Sequence, residues 1–92
     1  MTPRREEIEA AVAAYDHANP LAPLPQNAAR LLIAMFPTGD VCQQTVVDIA
    51  ALGFSRRHLP GTLHYLVKAG FLSWQRGSPP TYRLHLPPLV RR

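Results

Sequence analysis

The sequence predicts a mainly α domain that carries a small β-hairpin toward its C-terminal end and one extra helix at its N-terminal end. Three observations predict it. Apolar residues recur at helical spacing in four separate segments. Residues 48–84 read as a short helix, a tight turn, a basic helix and a hairpin, in that order. A chain of 92 residues buries only roughly 60–65% of its unfolded surface, enough for one core and not for two.

Thr2 and Pro3 resemble an N-cap followed by proline at the first helical position, and Glu6, Glu7 and Glu9 suit the positive end of a helix dipole. A helix over residues 3–18 follows. Its apolar stripe, Ile8, Val12 and Tyr15, is narrow, and Asn19-Pro20 ends it. Residues 20–25 hold three prolines and read as a stiff connector that sets this helix (residues 1–19) apart from the domain in residues 26–86. Within that domain Ala29, Leu32, Ile33 and Phe36 mark a helix over residues 26–36, and residues 40–42 read as a short strand. Val46, Ile49 and Ala50 share one face of a helix over residues 44–51, Gly53 supplies the positive φ of a tight turn, and Ser55 is the natural N-cap of the next helix. That helix runs to Ala69 on a stripe of Leu59, Leu63, Leu66 and Val67, with Gly70 as its stop. Residues 71–74 and 81–86 alternate as strands around a tip that holds Arg76; Tyr82, Leu84 and Leu86 face in, Arg83 and His85 out. Residues 87–92 read as a frayed tail.

The charge is divided unevenly. Residues 49–92 contain seven Lys or Arg and no Asp or Glu, whereas residues 1–48 contain all six acids and three Arg. The halves are therefore +7 and −3, and the positive half holds the helix–turn–helix–hairpin stretch, which points to an anionic partner, chiefly nucleic acid. An apolar fraction of 47% against 17% charged excludes a disordered chain. A single cysteine, Cys42, permits no intramolecular disulfide. The N-terminal stretch turns acidic where a secretory signal needs an apolar run, and no stretch approaches the ~18 apolar residues of a membrane span, so the expectation is a cytoplasmic protein with no membrane partner.

Residues 26–86 resemble the winged helix-turn-helix superfamily of small bacterial regulators, including the multidrug-responsive and arsenic-responsive repressor families. The marks are Ile49-Ala50, Leu52-Gly53 before Ser55, the Leu59, Leu63 and Leu66 spacing, Ala69-Gly70-Phe71-Leu72, and Tyr82-Arg83-Leu84 returning from the hairpin. They are specific for the fold and not for one family. The resemblance implies a recognition helix over residues 55–69, with Arg56, Arg57 and Gly61 at base- or phosphate-facing positions, and a wing whose Arg76 reaches a minor groove or backbone. Pro60-Gly61 departs from the pattern, standing where such helices carry base-reading side chains. Either the helix starts near Leu59 or it is kinked, because proline inside a helix removes a hydrogen bond and clashes with the preceding turn.

The candidate DNA-binding residues are Arg56, Arg57, His58, Gly61, Tyr65, Lys68, Arg76 and Arg83; of these Arg57, His58, Gly61, Tyr65 and Lys68 turn away from the apolar stripe at 100° per residue. Arg91 and Arg92 are weaker candidates because they are terminal. Trp74 and Tyr65 either stack on bases or form half-buried core. The Ile8, Val12 and Tyr15 stripe either packs on its own domain or forms a dimer, the usual route by which small helix-turn-helix proteins reach two half-sites. His17, His58, His64, His85 and Cys42 lack the spacing of a metal site, and Cys42 reads as a small buried hydrophobe rather than a nucleophile or sensor. No catalytic constellation and no cofactor motif is present in the sequence. The sequence therefore predicts a small transcriptional regulator of double-stranded DNA, most simply a repressor and not an enzyme. The alternative is a winged-helix module that docks on another protein, such as an adaptor or an inhibitor of a nucleic-acid-processing complex.

Overall fold

The structure is a computed structural model that describes residues 3–86 and 88. Its elements are α1 (Pro3–Ala18), α2 (Ala28–Met35), β1 (Val41–Gln43), α3 (Val46–Ala50), α4 (Leu59–Ala69), β2 (Leu72–Gln75) and β3 (Thr81–Leu84). Four helices thus pack with a three-stranded antiparallel sheet of order β1-β3-β2. The architecture is α+β rather than helical with a lone hairpin, because β1 pairs with β3 along its whole length, Cys42 opposite Tyr82. Residues 87 and 89–92, with the basic tail and its Arg91 and Arg92, lie outside the described residues.

One core unites all seven elements. Strand alternation sends Cys42, Leu72, Tyr82 and Leu84 to the inner face of the sheet, where they meet Leu31, Leu32 and Phe36 of the α2 region and Leu59, Leu63 and Leu66 of α4. Helix α1 belongs to this core, which corrects the reading of a helix set apart by a rigid connector. Ile8 is 0% exposed, Val12 and Tyr15 pack beside it, and the Tyr15 ring meets Phe71 edge-on at 5.6 Å between centroids. The connector folds back instead of extending: Leu24 is buried, its N–H donates to Asp16 Oδ1 at 2.8 Å, and Ala22 N–H reaches Asn19 O at 3.1 Å. The prolines stiffen a turn, and α1 packs on the core through Ile8, with Ala11, Val12 and Tyr15 partly buried beside it. Of the two roles open to the stripe, packing on its own domain is the one the fold displays: Ile8 is fully buried within the chain, and Val12 and Tyr15 are partly buried against the core.

The helix ends show why the central helices stop and start as they do. Thr45 and Asp48 form a reciprocal capping box at α3, Thr45 Oγ1 accepting from Asp48 N–H at 3.2 Å and Asp48 Oδ2 accepting from Thr45 N–H at 3.4 Å. Gly53 takes φ +110° in the turn that follows. Residues 55–58 form a separate turn, not the first turn of α4: Ser55 O accepts from His58 and Leu59 N–H at 3.2 and 2.9 Å. Helix α4 therefore starts at Leu59, with Pro60 second, where its missing N–H removes no intrahelical bond. Ser55 is not the cap; that position falls to His58, whose side chain makes no capping bond. Gly70 ends α4 at φ +92°, and Phe71 N–H returns to Leu66 O at 3.0 Å.

Candidate nucleic-acid interface

The turn between α3 and α4 gathers cations. Arg56 and Arg57 lie exposed in the residues 55–58 turn, held there by Ile49 and Leu59, buried on either side of it. Arg30 of α2, distant in sequence, reaches the same turn: its Nη2 lies 3.5 Å from Gly53 O, and its guanidinium lies 5.1 Å from the Phe54 ring centroid. Sequence reasoning missed Arg30. Its only signal is a polar position on the edge of the α2 stripe.

Helix α4 continues the surface with few side chains. Its exposed side carries Pro60, Gly61, His64 and Lys68. His64, absent from the sequence-derived candidates, lies one helical turn from both Pro60 and Lys68 and so shares their face. A side chain at Gly61 would meet nothing within 4 Å, and its φ is not positive, so neither packing nor backbone geometry demands glycine there. Tyr65 is turned the other way. It is half-buried, and its hydroxyl donates to Ala22 O at 3.0 Å, which ties the ring to the connector beside Tyr15. Tyr65 is thus committed to holding α4 against the α1–connector turn and is removed from the free face; Lys68 stays exposed on the rim of the same cleft.

The hairpin divides its two arginines. Arg76 is exposed just beyond β2. Arg83 pairs in register with Val41 and Ser73 on the outer face of the sheet, the side opposite the one α4 packs on. Arg83 therefore lies on the face of the sheet away from α4, whereas Arg56, Arg57, Lys68 and Arg76 are exposed on the turn, on α4 and just beyond β2. His85, expected to point out, is half-buried and hydrogen-bonds Ser73 Oγ through Nε2.

Electrostatics distinguish this region from the rest. Among the described residues the ion pairs are Arg5 with Glu9 within α1 and Arg4 of α1 with Asp40 just before β1, each at 2.8 Å. Arg56, Arg57, Lys68, Arg76 and Arg83 have no carboxylate within 4.0 Å among those residues. Beside α4 an open apolar cavity of about 230 Å³ lies between Pro60, His64 and Val67 on one side and Trp74 and Tyr82 on the other. Below it, Cys42 is buried with its Sγ 3.5 Å from Gln44 Oε1, and burial pushes its thiol pKa up. Burial also pushes the Tyr82 hydroxyl up, with the nearby Cys42 adding to the effect. A thiol held protonated is a poor nucleophile, so Cys42 acts as core. No cluster of three or more metal-ligating side chains exists among the described residues, and none of their helices is long and apolar enough to cross a membrane.

The chain matches no protein-family model, no curated protein and no solved structure.

Proposed function

We propose that the chain is a winged-helix protein that binds double-stranded DNA and acts as a small transcriptional regulator, most simply a repressor whose binding occludes a promoter. The observation that carries this reading is the set of exposed cations without carboxylate partners on the α3–α4 turn, α4 and the hairpin tip. Like charges gathered on one surface are unfavourable unless an anion offsets them. The element order α2-β1-α3-α4-β2-β3 and the strand order β1-β3-β2 support a winged helix, in which α4 is the helix offered to a major groove and the β2–β3 tip is the wing. A regulator of this kind works in the cytoplasm, where the DNA is. The test is titration of a labelled duplex at ~50 and ~200 mM salt; absence of binding at ~50 mM, or affinity that does not change with salt, overturns the reading.

A second reading, a winged-helix module that docks on a protein, is favoured by the apolar cavity with its half-exposed Trp74 beside α4. It requires that duplex DNA be ignored at low salt while a protein partner covers that cavity.

A further inference from the structure

The apolar cavity beside α4 is lined by none of the cations assigned above to the duplex interface. Trp74 stands on the inner face of the sheet opposite Tyr82, yet it is 51% exposed while Cys42, Leu72, Tyr82 and Leu84 on that face are all buried. Its indole forms a wall of the cavity, across from Pro60, His64 and Val67. Cations bracket this space in the chain: Arg57 lies three residues before Pro60, Lys68 directly after Val67, and Arg76 two residues after Trp74. Neither α4 nor β2 nor β3 contains an acid. The nearest carboxylate in sequence to the Val46 wall, Asp48, is held by Thr45 in the capping box. The occupant that fits has a flat apolar face and carries repeated negative charge.

We propose that this cavity takes an unpaired nucleobase from a single-stranded stretch of DNA, stacked on Trp74 while Arg57, Lys68 and Arg76 neutralise the flanking phosphates. The proposal rests on the reading of those cations as a DNA interface. Aromatic side chains beside a cationic track are the means by which proteins hold single strands, because every base offers a π-face once it is unpaired. Bases inside a duplex are covered above and below by their neighbours, so only a melted or displaced strand can enter. His64 supplies ring nitrogens at the cavity edge for the hydrogen-bonding edge of the base. An uncharged apolar ligand would fill the same space without drawing on the cations that neighbour its lining residues in sequence.

Trp74 is the chain's only tryptophan, so its emission reports on this cavity alone. The experiment titrates the full chain with a dye-labelled oligothymidylate and, separately, with a blunt hairpin duplex at ~50 mM salt, reading Trp74 emission and dye anisotropy together. The strand is expected to quench Trp74. Trp74→Ala is expected to weaken strand binding about 5- to 150-fold and to leave duplex affinity within about twofold. Trp74→Phe keeps most of the affinity, because a phenyl ring still stacks; circular dichroism of both variants confirms that the fold survives. A strand that binds without quenching, or that binds Trp74→Ala as tightly as the parent, overturns the proposal while duplex binding stands. If neither strand nor duplex binds, the DNA reading and this proposal fall together. Quenching by an apolar peptide but not by the strand overturns it in favour of a protein partner.

Discussion

Replacing Arg56 and Arg57 together by alanine separates an electrostatic DNA interface from a merely solvated basic turn. Both side chains are exposed and make no ion pair or hydrogen bond within the described chain, so their removal should leave the fold and its melting temperature unchanged. Four cations (Arg56, Arg57, Lys68 and Arg76) share the proposed interface, and counterion release contributes about −0.9 to the log–log salt slope for each phosphate neutralised. The parent slope is then about −3.6, which means a roughly 150-fold loss of affinity between ~50 and ~200 mM salt. With two cations removed the slope falls to about −1.8 and the same salt step costs roughly 12-fold. At fixed salt the double variant should bind more weakly by on the order of 2–4 kcal/mol. Fluorescence anisotropy with one duplex at four salt concentrations measures both quantities, and Arg83→Ala, on the outer face of the sheet, serves as the control that should change neither. A double variant that keeps the parent's slope, or an Arg83 variant that loses as much affinity as the double one, refutes the assignment of α4 and its preceding turn as the DNA-facing surface.

Three other perturbations test neighbouring parts of the account. Gly61→Ala fills open space on α4 and should raise stability by up to about 1 kcal/mol while weakening duplex binding; a variant that is stabilised and binds normally shows that no DNA backbone approaches there. Ile8→Ala removes a fully buried side chain of α1 and should destabilise the whole domain by about 2–5 kcal/mol, seen as one cooperative shift in thermal unfolding rather than as loss of a dimer in light scattering. Burial raises the Cys42 and Tyr82 pKa values in the folded chain, so the folded state holds these protons more tightly than the unfolded one. Their stabilising effect is complete below the unfolded pKa values and is lost as pH rises through the folded ones, so urea midpoints should fall above about pH 9. Cys42→Ala should remove the thiol's part of that fall, and a midpoint that rises with alkali contradicts the burial of both groups.

Much of the fold was legible because helical and strand periodicities report directly on which face is buried. The stripes at Leu32 and Phe36, at Ile49, and at Leu59, Leu63 and Leu66 all lie in the core, and Gly53 and Gly70 take the positive φ their positions required. Legibility ended where tertiary contacts overrule local signals. The prolines of residues 20–25 read as a rigid spacer, yet the Asp16 carboxylate and burial of Leu24 fold them into a turn that lays α1 on α2. Ser55 looked like a cap because serine caps helices, but Pro60 fixes the helix start: it fits only the first turn, and that places the start at Leu59. The site was legible in charge and not in direction. Alternation along β3 turns Arg83 outward, as the sequence indicated, but only the packing of α4 on the opposite face shows that outward means away from the proposed interface. Tyr65 lay at an outward helical angle and is nonetheless captured by Ala22 O, a contact between residues far apart in the chain. Arg30 needed the assembled turn to be noticed at all, whereas the i±4 spacing of His64 from Pro60 and Lys68 was present in the sequence and passed over.

The make-up of α4 bears on what kind of DNA recognition this surface can support. A helix that reads sequence does so with side chains near its N-terminal end, where they reach base edges in the major groove. Here that end is Leu59, buried, followed by Pro60 and Gly61, which offer no hydrogen-bonding side chain. The arginines sit before the helix, in a turn, and at the hairpin tip, where guanidinium groups meet phosphates or a narrow minor groove more readily than the centre of a major groove. On the proposed reading, affinity would come from the backbone of the nucleic acid, and discrimination from its shape and from whether its bases are paired. The exposed half of Trp74, beside the helix rather than on it, would supply the second of these. Pro60, which offers no hydrogen-bonding group to a duplex, forms instead one wall of the cavity that the indole faces, so on the proposed reading the residue that limits direct readout of a duplex helps to shape the place offered to an unpaired base.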